Sequence, residues 1–166
     1  MTRRRVVTGI NAAGRSVVVS AGSSPGRFGD GYWEELWAFD GVPARLDDAV
    51  DPVDVPRFRL VPAKDRIAVR IITTAAPPTP DDEEWSRRMD FAEVEVDASS
   101  PIPGMHRTPT IDVIVILSGE VDLVLDGGET VHLVPGDSVI QRATMHAWRA
   151  TGPEPCVAVA FMVPAD

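Results

Sequence analysis

From His106 to Gly119 the chain passes from polar, metal-capable side chains into an apolar run that closes on a Gly-Glu turn. Extended backbone alternates its side chains with a period of two. On that spacing His106, Thr108, Thr110, Asp112, Ile114 and Ile116 share one face, and Val113, Val115 and Leu117 take the other. Both faces are apolar at the far end, which predicts a strand covered on both sides. A carboxylate on such a strand needs a partner, because an unpaired buried charge is costly. Asp112 and His106 lie on one face and can share a cation.

The same reading carries along the rest of the chain. Arg5–Ile10 and Ser16–Ser20 are β-branched runs joined by Asn11-Ala12-Ala13-Gly14, a predicted hairpin. Residues 21–31 read as loop. Tyr32–Phe39 is an aromatic strand in which Trp33, Glu35, Trp37 and Phe39 share a face. Its two readings are packing in a core or dimer, and an aromatic wall over a ligand. Residues 40–56 form an acidic connector, followed by strands over Arg57–Val61 and Arg66–Thr73. Thr79 as N-cap, Pro80 at the first helical position and the acidic residues after it predict one short helix ending near Asp90. Phe91–Val96 alternates strictly as a half-exposed strand. Val121–Leu125 and Thr130–Leu133 make a hairpin across Asp126-Gly127-Gly128-Glu129, and Cys156–Val163 supplies the last strand. Roughly ten short strands separated by Gly and Pro turns argue for an antiparallel barrel or jelly roll.

Composition narrows the partners. The chain has 166 residues, 44% hydrophobic and 25% charged, enough for one domain with a core of its own. A net charge of -9 argues against nucleic acid, and the Arg3-Arg4-Arg5 run reads as a flank of the first strand. No apolar run approaches the roughly 20 residues of a membrane helix, and no signal peptide is evident. The single cysteine, Cys156, reads as a small buried hydrophobe, and the expected compartment is the cytoplasm.

A second stretch matches the first. Pro135-Gly136-Asp137 turns into a short apolar strand, and His146 opens the strand after the next turn. Taken together, His106, Thr108, Asp112 and Gly119 with Pro135-Gly136-Asp137 and His146 resemble the two motifs of the cupin superfamily. Thr108 stands where that family has a second histidine, Asp112 where glutamate is usual, Gln141 where proline is common, Ala143 for glycine and Ala150 for asparagine. The resemblance covers roughly residues 100 to 163. It implies an all-β fold, a single cupin domain over 1–166, with extra strands, connector and short helix in 1–90 and the conserved barrel in 91–164.

It also implies a site. His106, Asp112 and His146 take the metal positions, a set that suits a divalent ion such as Fe, Zn, Ni or Mn. Thr108, Gln141 and Trp148 would line the pocket, with Thr110 and Arg142 as catalytic candidates. Arg142 could pair with a substrate carboxylate or enolate, or with a surface acid. His132, flanked by Val131 and Leu133 in a hairpin strand, reads as a surface side chain. The expected function is metal-dependent, non-redox chemistry on a small oxygenated metabolite, as in a lyase, dehydratase, decarboxylase or cyclase. A non-haem iron dioxygenase and a binding or sensing barrel are the alternatives, since one fold hosts all three. The expected partners are a small-molecule substrate and a second copy of the chain, because strands ahead of the barrel would otherwise leave an open edge.

Overall fold

The computed structural model describes residues 3–29, 32–45, 51–74 and 87–166. The N-terminal β-branched runs pair as β1 (Arg5–Ile10) and β2 (Ser16–Gly22), and Asn11 closes the turn by accepting backbone N–H groups from Ala13, Gly14 and Arg15. Arg3 pairs with Glu34 at 2.8 Å, and Arg5 holds Asp51 and the Leu36 carbonyl. The basic run therefore ties the hairpin to the body of the fold.

A short strand, β3 (Gly26–Phe28), forms inside the stretch expected to be loop and pairs with β4 (Trp33–Asp40). After β5 (Phe58–Arg59) comes β6 (Arg66–Thr74), and then β7 (Met89–Asp90), which runs parallel to β5. The helix expected over Thr79 to Asp90 lies outside the described residues up to position 86. Arg87 and Arg88 are helical, and Met89 already belongs to β7. Of the strand expected over Phe91–Val96, only β8 (Glu95–Val96) forms, because the chain turns through Ala92 and Glu93, the latter at φ 68°.

The two motif stretches build the remaining strands. They are β9 (His106–Arg107), β10 (Thr110–Ser118), β11 (Val121–Leu125), β12 (Thr130–Leu133), β13 (Ser138–Arg142), β14 (His146–Ala150) and β15 (Cys156–Pro164). A six-stranded sheet in the order β13-β10-β15-β6-β4-β3 faces a five-stranded sheet in the order β12-β11-β14-β9-β8. The result is an all-β sandwich of the jelly-roll kind.

Register fixes what the larger sheet presents to the interior. One row runs Gln141, Asp112, Met162, Ala68, Ala38, and the next runs Val139, Ile114, Ala160, Arg70, Glu35, Gly26. Gly26 is bare for a reason: a Cβ there would lie 2.8 Å from the Glu35 Cβ and 3.0 Å from the Phe58 ring. The smaller sheet covers the β13-β10-β15 part and reaches β6, where Ile114, Ile116, Val121, Leu123, Leu133, Ala160 and Met162 form one core. A second core of Phe28, Trp33, Val53, Phe58 and Met89 lies under the other part, roofed by the segment around β5. Ile72 packs against both.

Two expectations about faces are corrected. Leu36 bulges out of register with β6, so Trp37 pairs with Val69 and Ala38 with Ala68. The aromatic strand changes parity there, and Trp37 and Phe39 leave the face that holds Trp33 and Glu35. The other correction concerns β10. Its inner face, Thr110, Asp112, Ile114 and Ile116, is buried, but Ile111, Val113 and Leu117 are exposed, as are Ile140, Phe161 and Val163 on adjacent strands. The apolar outer face is open within the chain, not covered.

Candidate functional site

β14 and β9 pair through a single register position, which sets His146 opposite His106 with ring centroids 4.6 Å apart. Each imidazole is oriented from behind in the same way. His106 Nδ1 lies 2.8 Å from the Gly104 carbonyl and His146 Nδ1 lies 2.8 Å from the Thr144 carbonyl. A carbonyl only accepts, so both Nδ1 atoms carry the proton, and in the neutral ring Nε2 keeps its lone pair. Burial holds His146 neutral by pushing its pKa down to about 4, with His106 adding a smaller effect in the same direction.

Asp112 enters from the facing sheet. It pairs in register with Gln141 and Met162, is buried, and its Oδ1 has no hydrogen-bond partner. Burial pushes its pKa up to about 6, against the Thr110 hydrogen bond and the Arg70 charge, which both lower it. Thr110 is fully buried, and its hydroxyl lies 2.7 Å from that of Thr108. The alternation expected from His106 to Ile116 therefore places Thr108, Thr110 and Asp112 inside as a connected polar line.

The structure brings the two histidines together and leaves the carboxylate off. Among the described residues no three His, Cys, Asp or Glu side chains gather closely enough to hold an ion. Aspartate is one methylene shorter than the glutamate that the family motif carries, and Asp112 starts from the opposite sheet. The imidazole pair fits a divalent ion on its own chemistry: two adjacent rings, each with its Nδ1 bonded back to a carbonyl. On the facing sheet the Asp112 Oδ1 is left without a hydrogen-bond partner.

The other expected residues divide. Trp148 stands edge-on to His146, with centroids 5.8 Å apart at 80°, and walls the pair. Gln141 is buried, but its amide is used on Thr144, donating to its carbonyl at 3.1 Å and to its hydroxyl. It thereby holds the turn whose carbonyl orients His146. Arg142 is corrected: it pairs opposite Ile111, exposed on the outer face, because the residue before it already faces inward. His132 is half-exposed and lies 2.9 Å from Asp122, which also accepts from Arg149 at 2.6 Å. Cys156 is buried, and burial raises its thiol pKa, which keeps it from acting as a nucleophile.

Sequence reasoning missed Arg70 and Glu35. Arg70 is buried on the interior face, 3.0 Å from Glu35, stacked 4.8 Å over Trp33, and donating to the Leu60 and Arg59 carbonyls. Glu35 also accepts from the Trp33 indole at 2.9 Å. Burial raises Glu35, and the Arg70 charge opposes it. The available signal was a lone cation in the middle of the apolar run Ile67–Ile72.

Comparison with known proteins finds matches over the same stretch of chain. Residues 91–162 match the family model described as "Cupin domain". Phomopsin biosynthesis cluster protein C' of Diaporthe leptostromiformis is 58% identical over 45 residues, covering 27% of this chain and 24% of that protein. The cupin-domain-containing oxidoreductase fogC of Aspergillus ruber is 39% identical over 67 residues, 40% of this chain and 30% of that protein. The corresponding oxidoreductase virC of Hypocrea virens is 37% identical over 62 residues, 37% of this chain and 29% of that protein. The matched stretches thus span less than a third of these relatives' own lengths. The family match takes in β8 to β14 and most of β15, and so includes His106, Asp112 and His146. Residues 91–162 of this chain are a cupin domain.

Proposed function

We propose that the chain is a metal-dependent enzyme acting on a small oxygenated metabolite, with His106 and His146 holding one divalent ion. The observation that carries this reading is the matched pair of Nδ1–carbonyl bonds, which turns both Nε2 atoms away from those carbonyls on two rings whose centroids are 4.6 Å apart. A bound ion would supply Lewis-acid polarisation of a substrate carbonyl or enol oxygen.

The chain's own residues supply the rest. Asp112, titrating at about 6 with a free Oδ1, can hold or release a proton near neutral pH. Thr110, hydrogen-bonded to Thr108, lies next to that carboxyl on the inner face of β10 and lowers its pKa. Trp148 keeps one side of the histidines apolar. The lead reading is non-redox: lyase, dehydratase, decarboxylase or cyclase chemistry. The names of the relatives fogC and virC favour a second reading, an iron-dependent oxidoreductase.

The test reconstitutes stripped protein with zinc or with ferrous iron and follows turnover of a panel of small keto and enol compounds, with and without oxygen. Turnover with zinc in the absence of oxygen supports the lead reading. Turnover with iron only, and only in air, transfers the site to the second. No turnover under any condition returns the barrel to a binding role.

The same proposal includes a homodimer. Val6, Ile10, Val18 and Val19 of the N-terminal hairpin are exposed, and a second copy would cover them. Light scattering at micromolar protein that gives only the 17.9 kDa mass would contradict it.

A further inference from the structure

Away from the histidines, the fold encloses a cavity of about 250 Å³. Its floor is the inner face of β4 and β6, where Ala38 and Ala68 are too small to fill the space. Its roof is the segment around β5, with Val53, Val55 and Phe58. None of His106, Thr108, Thr110, Asp112, His146 or Trp148 lines it. In the row of the sheet that carries Asp112, Met162 stands between that residue and Ala68.

The polar part of the lining is one-sided. Among the described residues that line it, Arg57, Arg59, Arg66 and Arg70 carry guanidinium groups and Glu35 is the single carboxylate. Arg70 donates its terminal nitrogens to two carbonyls and sets its Nε 3.0 Å from Glu35 without hydrogen-bond geometry, and Arg66 is spent on Asp40 at 2.7 Å and the Pro52 carbonyl at 2.7 Å. Arg59 pairs with Glu93 through a terminal nitrogen, but its Nε is buried with no acceptor. Arg57 has no carboxylate partner among the described residues; its hydrogen bond is a long one, 3.4 Å, to the Met89 carbonyl. Buried donors without acceptors are costly in a folded protein, and an arginine fork is matched by a carboxylate.

We propose that this cavity is a second binding site, for a small organic carboxylate. The carboxylate takes the free donors of the exposed Arg57 side chain, and the apolar body lies against Val53, Val55 and Phe58. A volume below the usual ~300–1,000 Å³ of drug-sized pockets limits the ligand to one small ring or a short chain.

Benzoate is the probe, with benzyl alcohol as its uncharged counterpart and inorganic phosphate as a charge without an apolar body. Calorimetric titration of the whole chain should show one saturable benzoate site per chain. Arg57→Ala, at an exposed position, should weaken it by about tenfold or more, and Arg57→Lys by less, because charge is kept and the fork is lost. Ala68→Leu, checked for native β-structure by circular dichroism, should remove binding by filling the floor. His146→Ala should leave benzoate affinity unchanged, which separates this site from the histidine pair. The proposal is overturned by non-saturating benzoate, by equal affinity in Arg57→Ala, or by benzyl alcohol or phosphate binding as tightly as benzoate.

Discussion

His106 and His146 are the one cross-strand pair between β9 and β14, and each sends its Nδ1–H to the carbonyl two residues before it. The symmetry is local: each ring is oriented by the turn that delivers it, Gly104 in one case and Thr144 in the other. Orientation thus depends on the turn carbonyl more than on the strand. Gln141, which donates to Thr144, becomes a positioning residue for His146. Gln141→Ala should weaken divalent-ion affinity by about tenfold, the lower end expected when an outer partner of a metal-binding histidine is lost. The circular dichroism spectrum should be unchanged. Equal affinity would make the Thr144 turn independent of Gln141.

Asp112 and His146 should pull stability in opposite directions with pH in metal-free protein. The folded pKa of Asp112, about 6, lies above its ordinary 3.8, so the folded state retains a proton that the unfolded state has lost. Its contribution is fully present below pH ~4 and is lost as pH rises through 6. The folded pKa of His146, about 4, lies below its ordinary 6.5, so its contribution is present above ~6.5 and is lost as pH falls toward 4. Asp112→Asn should therefore gain on native protein by about 2 kcal/mol between pH 4 and 6, measured by urea unfolding. A constant difference across that window would mean that Asp112 is not held protonated.

The Arg70–Glu35 pair should behave as a buried unit. Arg70→Met leaves Glu35 charged and unpaired in the interior and should cost about 3–5 kcal/mol. Adding Glu35→Gln should restore much of that loss, since the stranded charge is gone. If the double variant is as unstable as the single one, packing over Trp33 matters more than charge.

Much of this was legible along the chain. The alternation from His106 to Ile116, the β11–β12 hairpin and the last strand depend on side-chain period and local turns, which a single sequence displays. The bulge at Leu36 was not legible, because parity changes only when β6 fixes the register, and it moves Trp37 and Phe39 to the other face. Nor was the open outer face of β10: alternating apolar residues record that a face is apolar, not which element covers it. The site divided on the same ground. Side-chain period placed Thr108, Thr110 and Asp112 on one buried face, while Arg70 and Glu35 meet only through a pairing between strands 35 positions apart in sequence. Arg142 was misplaced by one position of parity.

Two backbone positions test the turns that close the barrel. Gly119 has φ 70°, and a Cβ there would lie 2.4 Å from the Pro155 carbonyl oxygen, so Gly119→Ala should cost at least about 2 kcal/mol. Ala143, at the family's glycine position, has φ 49°, so Ala143→Gly should be neutral or stabilise by up to about 1 kcal/mol. Thermal unfolding of both variants reads the two signs, and opposite signs would contradict the conformations of these turns.

The central claim is that the two back-bonded imidazoles hold a divalent ion, and zinc titration of metal-free protein by calorimetry tests it most directly. Native protein should bind one equivalent, with an affinity that weakens as pH falls, because protons compete with the ion for the imidazole nitrogens. His106→Ala and His146→Ala should each lose most of that affinity, and Asp112→Asn should lose more than Thr108→Ala. Full zinc affinity in either histidine variant would contradict the account.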